Sequence, residues 1–309
     1  MGRVSVDLYP EQIGVPLADV RTFAKSLGGS ATNVAVATAR LGRRAAVITR
    51  VGDDGFGPYV RTALEAFGVF AGWVSTDPDP QLRTPIVFCE IFPPDNFPLL
   101  FYRQPKAPDM NLAPGDFDND LVAQAPLLWT TGTGLSEEPS RTTTLETMRT
   151  HHGAIRIHDL DFRPILWKDL SQASRWAGEA IRVSTVVVGN LDEVEMATGT
   201  REPKPAAETI LEMGPELAIV KQGPHGVYAR RGDEEALVPP IPVDVVCGLG
   251  AGDAFGGALC HGLLEGWDLE RMLRFANAAG AIVASRLACA DAMPTSREVE
   301  ALLAERARG

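Results

Sequence analysis

The chain has 309 residues, enough for one large domain or two smaller ones around a sizeable core. It is 45% hydrophobic and 22% charged, which excludes a disordered or fibrous protein. With 40 acidic side chains against 29 Lys and Arg, the net charge is −11; this argues against nucleic acid or an anionic membrane as a partner, but not against small phosphorylated ligands held by local positive sites.

Residues 3–8 alternate polar and apolar and end at Asp7, a short strand with a carboxylate at its end. Residues 30–42 read as a helix that Ser30 or Thr32 caps and Gly42 stops. A strand at 45–51 and a helix at 57–67 follow, and strand–helix alternation of this kind predicts a mostly parallel sheet covered on both faces. The alternation breaks between about 82 and 104, where IVFCEIF and LLFYR flank the turn-rich PPDNFP. That is a hairpin, read here as a small β lid inserted in the α/β body, with residues 11–25 contributing a further strand. From 127 the alternation resumes: strands at LLWTTG, AIRIHDLDF, TVVVGN and LAIVKQG, helices near 137–150, 171–182 and 205–213, an antiparallel pair at HGVYARR and EEALVPP, and two consecutive helices at 252–266 and 270–285. The expectation is one domain, 1–309, with the lid spliced into it.

Cys89, Cys247, Cys260 and Cys289 are scattered without a C-x-x-C pair, which points to reduced thiols in a cytoplasmic protein rather than a disulfide frame or zinc site. The start of the chain lacks the apolar run of a signal peptide, and no stretch of about 18 apolar residues is present to span a membrane. His151, His152 and His158 have no metal-ligand spacing and read as solvated surface.

The strongest chemical feature is Gly248-Leu249-Gly250-Ala251-Gly252-Asp253, which follows an extended stretch and opens a helix. Gly250, Ala251 and Gly252 can turn consecutive backbone N–H groups toward an anion, assisted by the positive end of the helix. The same field is expected to keep Asp253 ionised. An anion hole beside a carboxylate is what phosphoryl transfer to an alcohol requires; a Gly-rich turn capped by Asp is the alternative. The segment is neither a Walker A loop nor G-x-G-x-x-G, which disfavours a dinucleotide site. The second feature, Gly28-Gly29-Ser30-Ala31-Thr32-Asn33, allows close backbone approach to a ligand or simply makes a packing turn.

Taken together, Gly28-Gly29-Ser30-Ala31-Thr32-Asn33, Gly52-Asp53-Asp54-Gly55-Phe56-Gly57 and Gly250-Ala251-Gly252-Asp253 resemble both signatures of the ribokinase-like (PfkB) carbohydrate kinases, in order and across essentially the whole chain. Asn190-x-x-Glu193 and Lys221-x-Gly223-x-x-Gly226 resemble two further elements of that family. The resemblance implies a ribokinase-like three-layer α/β sandwich with a mostly parallel central sheet and a β lid, ATP and Mg²⁺ as cofactors, and a sugar as the second small-molecule partner. It implies Asp253 as the base with Gly250, Ala251 and Gly252 as the anion hole, and Asp7, Gly28, Gly29 and Asn33 on substrate hydroxyls. Asn190, Lys221, Gly223, Gly226 and Asn277 would line the nucleotide site, and Glu193 would hold Mg²⁺ through water. The family usually has Asp-Thr where this chain has Cys247-Gly248, so a monovalent cation, associated with that Asp in relatives, is left open.

Phe101-Tyr102-Arg103 and Asp159-Leu160-Asp161-Phe162-Arg163 resemble the pattern in kinases of keto-deoxy sugar acids, in particular the group serving myo-inositol catabolism. That implies Arg103 and Arg163 on a substrate carboxylate, which a guanidinium binds bidentately. Kinases of 2-dehydro-3-deoxygluconate or of a neutral sugar, and a non-catalytic sugar or nucleotide sensor, are the competing readings. The apolar lid run also leaves open a homodimer through the lid.

Overall fold

The computed structural model describes residues 1–308. Four apolar runs form the parallel part of a six-stranded sheet: Leu127–Thr131, Ile155–Asp159, Val186–Asn190 and Leu217–Lys221, paired in chain order. Val227–Arg231 and Glu234–Val238 extend it antiparallel at the far edge. Parallel neighbours need crossovers, and helices Ser140–Thr150, Ser171–Arg182, Leu191–Thr198 and Pro203–Glu212 supply them.

Side-chain alternation then defines three layers. Val186, Val188, Leu217, Ile219 and Ala229 pack into one core with helices Ser30–Arg40, Ala251–Leu264 and Leu269–Ala284. Val187, Ala218, Val220 and Tyr228 pack into the other, with Ile181 and Ile210. A strand covered on both faces has no wet side. Accordingly His158 is fully buried, its Nδ1 3.0 Å from Thr130 Oγ1, and burial lowers its pKa to about 4. His151 is buried as well, so the expected solvated surface applies to His152 alone.

The second sheet has the order Phe23–Gly28, Ser5–Pro10, Ile86–Cys89, Leu99–Tyr102. The expected hairpin supplies the last two strands. The contribution expected from 11–25 lies later, at Phe23–Gly28, so that it runs directly into helix Ser30–Arg40. Val87, Cys89, Leu99 and Phe101 face inward with Tyr9, while Leu100 and Tyr102 are exposed on the outer face. The single strand expected at 45–51 is two short pieces, Ala45–Ala46 and Thr49–Val51, paired in parallel with Val69–Phe70 and Val74–Thr76. Val47 and Ile48 are both buried, which breaks the alternation of a straight strand between the pieces.

Glycines set how close the two site-bearing helices come. A side chain at Gly257 would strike Ala37 and the Thr38 nitrogen of helix Ser30–Arg40, and one at Gly256 would meet the Trp129 ring at 2.7 Å. Their absence lets helix Ala251–Leu264 lie directly against helix Ser30–Arg40, so that the two N-termini open side by side.

Candidate active site

Thr131, Asp159, Asn190 and Lys221 are the last residues of the four parallel strands. Ligands in open α/β sheets bind at this carboxyl edge. The N-terminus of helix Ala251–Leu264 faces it: a Cβ on Gly252 would stand 3.5 Å from Lys221 Nζ. Gly250 caps the helix at φ 82°, packed so tightly that a Cβ would lie 2.8 Å from Cys289 Sγ, which makes glycine obligatory there. The Ala251 N–H reaches back only to Gly248 O at 3.4 Å, a long contact. The first N–H groups of any helix lack intrahelical acceptors, and here they lie beside Lys221.

Asp253 sits one turn in, where its Oδ2 accepts from Asn33 Nδ2 at 2.8 Å. The other side-chain atom of Asn33, Oδ1, is buried without a partner, open to a hydroxyl donor. Asp7 lies nearby on Ser5–Pro10, buried, with Ser5 Oγ donating at 2.7 Å. A methyl at Gly28 would overlap the Asp7 carboxylate. A Cβ on Gly29, at φ 99°, would lie 2.5 Å from Arg3 O. The glycine pair therefore admits the carboxylate and lets the helix start against the strand.

Asp161, at φ 28°, is held by Ser30 Oγ at 2.6 Å and Thr133 Oγ1 at 2.9 Å. Arg163 reaches Asp161 at 3.3 Å and Glu193 at 3.7 Å. It is therefore placed between the strand ends and helix Leu191–Thr198. Lys221 Nζ stands 3.9 Å from Asp159. Asn190 and Glu193 form a capping box: the Glu193 N–H donates to Asn190 Oδ1 at 3.0 Å, and the Asn190 N–H to Glu193 Oε2 at 2.7 Å. That leaves Glu193 Oε1 outside the capping box, with Arg163 Nη1 3.7 Å away. Among the described residues no three His, Cys, Asp or Glu side chains are arranged to hold a metal. The donor set suits a hard cation taking most of its oxygens from phosphate and water, as Mg²⁺ does, with Glu193 Oε1 in support.

The glycines expected at the nucleotide site stand apart. Gly223 (φ 56°) and Gly226 (φ 91°) shape the turn after Lys221, and a side chain on Gly226 would overlap Val238 O. Asn277 Nδ2 donates to Pro239 O at 3.0 Å, beside that turn. At the unusual Cys247-Gly248, the Cys247 thiol is fully buried against the lid's inner face, where the family pattern has a carboxylate.

Burial dominates the electrostatics. It raises the Asp253 carboxyl to about 6, with Asn33 opposing, and raises Asp7 to about 6 despite Ser5 and Arg3. Desolvation thus works against the positive helix end, and Asp253 still ionises above about pH 6. Burial also pushes Asp159 up against the pull of Lys221. Asp161 is pushed the same way, but the Arg163 and Arg3 charges and two hydroxyl donors hold it below the usual range.

Arg103 is placed differently from its expected role. Both terminal nitrogens are bound by Asp109, at 2.5 and 3.1 Å, and Asp109 also accepts the Val4 N–H at 3.0 Å. The pair is buried, so this guanidinium already has its carboxylate. The sequence reading overlooked Asp109, Arg3 and Thr133, and it expected Ser30 or Thr32 to cap the helix, whereas Gly29 caps it and Ser30 Oγ binds Asp161. Arg3 shares the odd-numbered strand face with Ser5 and Asp7, the one signal that marked it.

The pattern of the pfkB family of carbohydrate kinases matches residues 1–296, and the chain belongs to that family: it is a sugar kinase. A 5-dehydro-2-deoxygluconokinase of Photobacterium profundum is 36% identical over 306 residues, covering 96% of this chain and 91% of the relative. The protein of the same name from Clostridium tetani is 32% identical, covering 99% and 92%. Among solved structures, a putative ribokinase II of E. coli in complex with ATP and Mg²⁺ superposes with a TM-score of 0.88 at 23% identity, over 98% of this chain and 97% of its own, which establishes the ribokinase-like fold.

Three outcomes follow from this geometry. A base must be unprotonated, so turnover falls with acidification below about pH 6, and Asp253→Asn lowers kcat by about 10²–10⁴-fold in steady-state kinetics. Because the folded pKa lies above the ordinary 3.8, the stability held by protonated Asp253 is full below 3.8 and lost as pH rises through 6. Asp253→Asn therefore unfolds later than wild type at pH 8, by about 1–3 kcal/mol, a difference that vanishes by about pH 4 in denaturant titrations. Arg103→Ala strands a buried carboxylate and destabilises by about 3–5 kcal/mol, while adding Asp109→Ala restores part of the loss in thermal melts.

Proposed function

We propose that this kinase transfers the γ-phosphoryl group of ATP to the C6 hydroxyl of 5-dehydro-2-deoxy-D-gluconate. The observation that carries the transfer chemistry is Asp253, held by Asn33 at the N-terminus of a helix that opens beside Lys221. The near-full-length likeness to two proteins of that name supports the substrate. Asp7 and Asn33 Oδ1 orient sugar hydroxyls. Asp253 accepts the C6 hydroxyl proton as the oxygen–phosphorus bond forms and the bond to the ADP oxygen breaks. The backbone N–H groups of residues 250–252 and Lys221 hold the charge on the phosphoryl oxygens as it moves. Mg²⁺, supported through water by Glu193, neutralises phosphate charge when bound. Arg163 stands where it reaches either that phosphate charge or the far end of a sugar acid.

Coupled ADP release over a panel tests this. The expected order of kcat/KM is 5-dehydro-2-deoxy-D-gluconate first, then 2-dehydro-3-deoxygluconate, then fructose, in assays run with and without potassium. A neutral sugar at the head of the order overturns the substrate, and no turnover of any panel member by wild type overturns the enzyme reading in favour of a sensor.

The same proposal extends to assembly. The outer lid face carries Leu100 and Tyr102, with Tyr102 58% exposed and joined edge-on to Phe88 at 5.5 Å and through it to Phe23 at 5.3 Å. An apolar sheet face of this kind fits a second copy of the lid. Wild type is expected to sediment as a dimer and Tyr102→Glu as a monomer; a monomeric wild type removes the assignment.

A further inference from the structure

We propose that Arg3 receives the carboxylate of the acid substrate and sets the enzyme's preference for sugar acids over neutral sugars. The inference rests on the sugar-acid reading above and assigns it a residue that the sequence comparison with acid kinases did not.

Arg3 is only 8% exposed, yet its Nε has no hydrogen-bond partner. It takes part in none of the ion pairs among the described residues, whereas the other cations of this region are taken: Arg103 by Asp109, Arg163 by Asp161 and Glu193, Lys221 by Asp159. Asp7, Asp161 and Asp253 act on this guanidinium only at longer range, none within 4 Å, and a buried guanidinium with unbound donors gains most when a carboxylate reaches it directly. Burial of Arg103 came with its own counter-ion, so the lack of one at Arg3 is not the general habit of this core.

Its position suits the substrate. Side chains alternate along an extended chain, so Arg3, Ser5 and Asp7 share one face while Val4 and Val6 enter the core. Asp7 faces the site with Asn33 and Asp253, and the Arg3 charge acts on Asp7, Asp161 and Asp253 alike. The guanidinium lies over the Phe101 ring of the lid, 5.8 Å from its centre. That contact steadies the side chain without occupying its donors. The carboxylates of Asp7, Asp161 and Asp253 in the same region repel an acid substrate; the cation there that no carboxylate binds within 4 Å offsets that repulsion and offers paired donors to a planar carboxylate.

A cation that merely balances the protein's own carboxylates acts on every substrate equally, and this separates the two roles. In Arg3→Gln, kcat/KM for 5-dehydro-2-deoxy-D-gluconate is expected to fall about 10- to 150-fold, the range for hydrogen bonds to charged groups, mainly through KM. KM for ATP is expected to stay near wild type, and kcat/KM for fructose to fall far less than that for the acid. Arg3→Lys recovers part of the loss. If acid and neutral turnover fall together, or the acid preference survives Arg3→Gln in an enzyme whose wild type prefers the acid, the assignment is overturned and the substrate reading stands. A wild type that prefers neutral sugars overturns both. Should Arg3→Gln fail to fold, Arg3→Lys keeps the charge and loses the paired geometry; a raised KM for the acid alone supports the assignment, and an unchanged one overturns it.

Discussion

The contact on which the site depends is the 2.8 Å hydrogen bond from the Asn33 amide to Asp253. It joins two helices that are 220 residues apart in the chain, and it forms only because Gly256 and Gly257 let those helices touch backbone to side chain. Everything chemical is built around that seam. Gly29 and Gly250, both at positive φ, cap the starts of the two helices. The carboxyl edge of the parallel strands then faces their N-termini, with Lys221 between. A shift of one helix by a methyl group would separate the base from the residue that orients it, which is why small residues, rather than specific side chains, occupy the interface.

The second constraint is charge. The chain is acidic overall, and it also buries Asp7, Asp159 and Asp161, with the half-buried Asp253 close to them. Such a cluster is tolerable because protons, cations and hydroxyl donors share the load. Asp7 and Asp253 rise to about 6, Asp159 rises with them, and Asp161 is held ionised by Arg163, Arg3 and two hydroxyls. The arrangement makes the base strong enough to take a proton near neutrality, and it makes each nearby cation matter. It also explains why two arginines that look alike in sequence diverge. Arg103 balances Asp109 and anchors the Val4 backbone, a structural duty, while Arg3 remains unmatched.

Much of the fold was legible along the chain. Apolar runs ending in polar residues marked the four parallel strands, and Gly-rich turns before helices marked both halves of the site. The lid hairpin was visible as a break in the alternation. What escaped was the consequence of burial. The helix 30–42 reading was close, but the 45–51 strand split because Val47 and Ile48 both turn inward, and periodicity in seven residues does not reveal that. His151 and His158 looked like surface because polarity, not location, was all the sequence offered.

By itself the sequence determined the order of elements, the two glycine-rich helix starts and the chemistry of the residues beside them, because local backbone demands and periodicity are written in neighbouring residues. Only the tertiary structure decided which charges meet. Pairing Arg103 with Asp109, lifting the Asp253 carboxyl by desolvation and leaving Arg3 without a counter-ion are outcomes of burial and distance between segments remote in the chain. Electrostatic energy depends on separation and on water, and neither is a property of a residue's place in the sequence.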